Sequence, residues 1–242
     1  MGRNLYTPTE ELIIGRRNYS FFEDFDEFIS ADQWTSIEGD SGASTSLQDA
    51  ASGEINLITG TTDNNEVYLH KTKENFLIAD GQPMECEARI QYEEAATPAA
   101  NIIFGFLNAW VANTSLGNDG TGPRADYDGA VFFKVDGGTT WQAESSDSTA
   151  QTTTDLTALN SLDSIVKTAG GTNYTVLKIR IETTSSTKMD VSFFIDDVLV
   201  IKHNETYSSP TEMAVGIGVK AGSGSSETLT VDYIAGGQLR AT

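Results

Sequence analysis

The sequence predicts an all-β fold: two antiparallel sheets packed as a sandwich in a jelly-roll layout, behind a short N-terminal arm. Three observations carry that expectation. From Phe21 onward apolar residues recur at every second position, the period of a strand with one buried face. Clusters of Gly, Ser, Thr, Asn and Asp separate these runs, and such clusters turn chains. Helical patterning is confined to the arm and two short stretches, so the sheets have only each other to cover their apolar faces.

The arm, residues 1–20, contains Thr7-Pro8-Thr9-Glu10, which has the form of a capping box with proline at the first helical position. Gly15 follows Leu12-Ile13-Ile14, so one or two helical turns are expected there. Arg3, Arg16 and Arg17 outnumber Glu10 and Glu11, whereas the whole chain carries a net charge of −20. A slightly basic, partly apolar arm suits an acidic neighbour, or folds back on its own sandwich. Its candidate partner-binding residues are Arg3, Tyr6, Leu12, Ile13, Arg16 and Arg17. Extended, it would reach about 65 Å.

Residues 21–242 read as the sandwich. Candidate strands are 21–25, 54–59, 66–71, 84–92, 101–107, 129–135, 140–144, 174–182, 189–195, 198–203, 213–220 and 227–234. The clearest alternations are Leu177-Ile179-Ile181, Met189-Val191-Phe193-Ile195 and Met213-Val215-Ile217-Val219. Asp196-Asp197 predicts a tight hairpin, because Asp tolerates the backbone angles of a two-residue turn. Ser30-Ala31-Asp32-Gln33 fits one capped turn, and Leu159, Leu162, Ile165 and Val166 could line a short helix. Residues 145–157, mostly Ser, Thr, Gln and Asp, are expected to form a long surface loop. No repeat of constant period occurs, which argues against a solenoid.

Composition narrows the function. Fifteen Lys and Arg stand against 35 Asp and Glu, a balance that repels nucleic acid and anionic membrane. No stretch approaches the ~20 apolar residues of a membrane span, and the first residues lack the apolar core of a secretion signal. The single cysteine, Cys86, sits in the alternation Met84-Cys86-Ala88-Ile90-Tyr92 and is expected to be a buried, inert thiol.

The C-terminal third carries a resemblance. Tyr174 to Ile181, Val191-Ser-Phe-Phe-Ile-Asp-Asp-Val-Leu-Val200, Met213-Ala-Val-Gly-Ile-Gly-Val-Lys220 and Leu229-Thr-Val-Asp-Tyr-Ile234, taken in order, resemble the concanavalin A-like (laminin-G-like) sandwich. More narrowly they look like domains of bacteriophage virion proteins, both head decorations and tail fibres. Phe21-Phe-Glu-Asp-Phe25 and Trp34 resemble that group's first strand. The resemblance implies a noncatalytic capsid decoration or cement protein, made in the host cytoplasm and carried on the virion head. Its partners would be the major capsid protein or sister copies, with a trimer among the possible oligomers. The same sandwich serves lectins and hydrolases, so a tail-fibre module binding a surface glycan is the main alternative.

For a glycan, the candidate contacts are Trp110, Tyr127 and Trp141, which flank polar loops; large aromatics are equally expected in cores. Hydrolases of this class resemble one another in a Glu-x-Asp-x-Glu or Glu-x-Asp-x-x-Glu strand, with the two carboxyls about 5 Å apart for a retaining mechanism. The dense run Glu23-Asp24-Phe25-Asp26-Glu27 fits neither spacing. His70 and His203 end candidate strands and are expected at the surface, and Ser223 lies in a Gly/Ser turn without a nucleophile elbow. Asn118-Asp119-Gly120 and Asp126-Tyr127-Asp128-Gly129 supply hard oxygen ligands but lack the twelve-residue calcium-loop spacing. The expectation is therefore no catalytic residue, no cofactor and no metal.

Overall fold

A computed structural model describes residues 18–28, 32–94, 99–158, 169 and 171–240. The arm residues Arg3, Tyr6, Leu12, Ile13, Arg16 and Arg17 lie outside the described residues, as do Leu159, Leu162, Ile165 and Val166 and part of the turn at 30–33. The elements run β1 (Asn18–Glu23), β2 (Trp34–Glu38), β3 (Ser44–Gln48), β4 (Glu54–Ile58), β5 (Glu66–Lys71), β6 (Met84–Glu93), β7 (Ala100–Leu107) and β8 (Gly129–Lys134). They continue with β9 (Gln142–Asp147), β10 (Ala150–Asp155), a 3-10 turn (Leu156–Ala158), β11 (Gly171–Ser185), β12 (Lys188–Ile195), β13 (Val198–Thr206), β14 (Ala214–Ala221) and β15 (Thr228–Leu239).

Two antiparallel sheets face each other. Sheet A has the order β13-β12-β11-β6-β15-β4-β3, with β1 also pairing to β15; sheet B has the order β10-β9-β8-β7-β14-β5-β2. One long edge of β15 is shared: residues 228–231 pair with β4, and residues 234–239 pair with β1. The core between the sheets is built by alternating inward residues, among them Trp34, Phe104, Phe106, Phe132, Ile179, Phe193, Ile217 and Val231. Cys86 belongs to it, and burial pushes its thiol well above the usual range, as an inert cysteine requires. Asp196 and Asp197 both take positive φ, 47° and 63°, the backbone of the tight hairpin their sequence predicts.

Every candidate strand overlaps an observed one, and β2, β3 and β10 are additional. The expected loop over 145–157 is a correction: it is a hairpin, with β9 and β10 paired from Gln142–Asp155 to Asp147–Ala150. Its threonines favour strands, and hydroxyls inside the sandwich find partners, so polarity there does not imply a loop. Thr154 Oγ1 lies 2.9 Å from His203 Nε2.

Candidate functional site

The three aromatics proposed as glycan contacts sit inside the protein. Trp141 is 1% exposed and packs edge-on against Tyr92 and Phe132 in the main core. Trp110 and Tyr127, 7% and 0% exposed, belong to a second core on the outer face of sheet B, with Tyr68, Ile103, Leu107, Leu116, Val131 and Phe133. This corrects the expected placement: Trp141 faces the other sheet, and Trp110 and Tyr127 belong to the segment 108–128 between β7 and β8, which folds back over the outer face of sheet B. A buried ring has no free side on which a sugar can stack.

The strands beneath are shaped for that cover. A Cβ at Gly216 would meet the Trp110 indole at 2.5 Å, and one at Gly218 would meet the Tyr68 ring at 2.1 Å. The alternating glycines of β14 therefore let two aromatic rings come close against the strand. Trp110 Nε1 donates to the Ala214 carbonyl at 3.1 Å. A buried ion pair pins the rest: Lys220 Nζ lies 3.1 Å from Glu66 Oε2, both side chains 0% exposed. Lys220 Nζ also donates to Leu116 O at 2.9 Å and Asn118 Oδ1 at 2.8 Å. Glu66 accepts from Tyr68 OH at 2.7 Å and from the Asn113 backbone N–H, so both charges are saturated by the segment they hold. Burial, reinforced by Glu66, keeps the Tyr68 phenol well above its usual range; Tyr127, which donates to Glu144 at 2.9 Å, is raised in the same way.

His203 is the second correction: it is 4% exposed and points into the gap between the sheets near the β9–β10 edge, because it shares a face with Val191 opposite. Its Nδ1 lies 2.8 Å from Ser145 Oγ, and Ser145 Oγ donates to Glu205 Oε1 at 2.8 Å. The order is histidine, serine, carboxylate. A nucleophilic triad needs the histidine between the other two, and Ser145 is 0% exposed, so the chain of hydrogen bonds holds two sheets together and cannot attack a substrate. Burial lowers the His203 pKa, with Glu205 acting against it. His70 is half-buried, stacked on Trp110 with 6.2 Å between ring centroids.

Carboxylates flagged in the sequence are spent on local structure. Glu23 accepts from Phe25 N at 3.2 Å and Trp34 Nε1 at 3.0 Å, while Asp26 is exposed. Asn118 faces Lys220, Asp119 bonds Asn64, Asp126 accepts from Ser148 Oγ, and Asp128 accepts from Ser148 N and Thr211. Among the described residues no group of three or more His, Cys, Asp or Glu is gathered as a metal site requires. An open cleft of about 310 Å³ beside the start of β1 is lined by Tyr19, Asn75, Leu77, Gln82, Gln238, Leu239 and Arg240, none of them a carboxylate or a nucleophile.

Among the described residues, no segment covers the outer face of sheet A, and no functional motif in the sequence marks it. Phe22, 60% exposed, stacks on Tyr233 at 5.3 Å, and Tyr233 OH donates to Glu87 at 2.6 Å. Lys178 bridges Glu87 at 3.0 Å and Asp197 at 2.9 Å. Arg89 pairs with Asp232 and lies 4.0 Å above the Tyr174 ring; Arg180 pairs with Glu182 and Lys202 with Asp190. Each of these four bases, Arg89, Lys178, Arg180 and Lys202, is paired with a carboxylate on the same face. A signal existed: Phe21-Phe22, Phe193-Phe194 and Val198-Leu199-Val200-Ile201 break the alternation, and a doubled apolar residue in a strand puts one of the two outside.

The architecture is that of the concanavalin A-like, lectin-like jelly-roll sandwiches. The carbohydrate recognition domain of Emp47p is similar over 93% of this chain and 96% of its own, at 12% identity and a TM-score of 0.58. The endo-1,3-β-glucanase of Streptomyces sioyaensis covers 94% and 98%, at 13% identity and a TM-score of 0.62. A Shewanella oneidensis MR-1 protein of unknown function covers 100% and 98%, at 13% identity and a TM-score of 0.58. Identities this low establish the fold and no more. No family model matches the sequence, and no curated protein matches it.

Proposed function

We propose that this chain is a noncatalytic structural protein of a virion, a capsid decoration protein that attaches by surface contact. The observation that carries the reading is the sealing of sheet B by residues 108–128: Trp110 and Tyr127, which would stack on a sugar, and the Glu66 carboxylate are taken up in a second core. The resemblance of residues 174–234 to phage virion domains supplies the context. Attachment would come from many weak contacts repeated by the symmetry of the shell, to major capsid subunits or sister copies, with the arm as one of them. Mixing the full chain with bare heads and imaging the particles tests this. Ordered density on the shell, lost when residues 1–17 are removed, is the expected result; no binding to heads overturns the reading.

A second reading is a glycan-binding module. The carbohydrate recognition domain among the similar structures favours it, and the exposed Phe22–Tyr233 stack beside Arg89 offers aromatic and polar groups together. It predicts saturable binding on a glycan array that Tyr233→Ala abolishes and that Trp110→Ala affects only through stability.

A further inference from the structure

We propose that two copies of this chain associate through the outer face of sheet A, about a two-fold axis that runs along the strands between β6 and β11. The strand register aligns six residues across the sheet. Phe22 is opposite Ala235, Ala235 opposite Glu87, Glu87 opposite Lys178, Lys178 opposite Phe194, and Phe194 opposite Leu199. The row has two apolar residues at each end and two opposite charges at its centre. With strands about 4.8 Å apart, it spans roughly 24 Å and its midpoint falls between Glu87 and Lys178.

A half-turn about that midpoint reverses the row. Phe22 then faces Leu199 of the second copy, Ala235 faces Phe194, and Glu87 faces Lys178. Phe22 meets an apolar Leu199, the small Ala235 meets Phe194, and each charge meets its opposite, every contact occurring twice, as an isologous contact requires. Phe22 and Leu199, 60% and 48% exposed, gain the most from being covered. The roughly 30° crossing of aligned sheets leaves the central charges opposed and offsets only the apolar ends, where contact is least directional.

Electrostatics selects this face over others. Two bodies of charge −20 repel, and they approach best where carboxylates already have bases beside them. Arg89, Lys178, Arg180 and Lys202 supply such bases on sheet A, and sheet B is already covered by residues 108–128. The association is independent of the virion assignment, since it uses only this chain's surface.

Sedimentation equilibrium of the full chain at about physiological salt, where exposed charges are screened beyond ~8 Å, tests it. The wild type should show twice the 26.0 kDa chain mass. Glu87→Lys and Lys178→Glu, each alone, place like charges across the axis and should weaken association at least tenfold. An equimolar mixture of these two variants should return to the doubled mass, because each new lysine then faces a glutamate. Leu199→Glu should also give single chains, with the circular dichroism of every variant unchanged. The proposal is overturned by a wild type that stays at 26.0 kDa, by an assembly that survives Leu199→Glu, or by charge variants that fail to reassociate on mixing.

Discussion

The two outer faces of this sandwich arise from strands of the same kind and end in opposite states. On sheet B, β7, β8 and β14 are buried at every residue, because residues 108–128 add a third layer. On sheet A, β12 alternates buried with partly exposed positions over much of its length, and the face stays in water. The difference lies in what the outward residues permit. Glycines at 216 and 218 admit aromatic rings close against sheet B, whereas Glu87, Lys178 and Arg180 on sheet A need solvent or a partner of opposite charge. One face has become interior, and the other is left uncovered by the described residues.

Substitutions separate the two faces, starting with the most damaging. Lys220→Met leaves the Glu66 carboxylate buried without its counter-ion and should cost about 3–5 kcal/mol. That corresponds to a fall in Tm of about 6–20 °C for a domain of this size. Adding Glu66→Gln should recover much of the loss in a denaturant titration; no recovery would mean the pair is not what pins the segment. Gly216→Ala drives a methyl into the Trp110 indole and should cost about 1–3 kcal/mol by overpacking, read as a lowered denaturant midpoint.

A pH effect comes next. Burial depresses the His203 pKa, so below its ordinary value of 6.5 the unfolded chain takes up a proton that the folded chain resists. This contribution to stability is fully present above about pH 6.5 and is lost as pH falls through it. Thermal melts from pH 7.5 to 5.5 should show Tm declining, and His203→Gln should flatten the slope; His70, shifted in the same direction, keeps part of it. The smallest effect belongs to the open face. Leu199→Ser in dilute solution should change the stability of the single chain by less than about 0.5 kcal/mol, and a larger loss would place Leu199 in a core.

The sandwich was legible because period-2 alternation reports a strand with one buried face, as in Met189-Val191-Phe193-Ile195. The second core was half legible: Ile102-Ile103-Phe104 and Val131-Phe132-Phe133 are continuous apolar runs, the mark of strands covered on both faces. The source of that cover could not be read. Segment 108–128 is polar in composition, and Trp110, Leu116 and Tyr127 are the apolar side chains it places in that core. His203 was misplaced because β12 and β13 carry a bulge at Phe193/Phe194 and because its partners, Ser145 and Thr154, lie about fifty residues away on a hairpin whose polarity resembled a loop. The charged row on sheet A was invisible for a related reason: Glu87 and Lys178 become neighbours only when the register is known.

The shared edge of β15 has a consequence for how the molecule is made. The strand sits between β6 on one side and both β4 and β1 on the other, so it joins the earliest segments of the sheet to the rest. During synthesis β1, β3 and β4 leave the ribosome long before residues 228–239 exist to receive them. Sheet A therefore closes after translation of its last strand, and such long-range pairing makes for slow folding in which β1 waits with Phe21 not yet packed against the core.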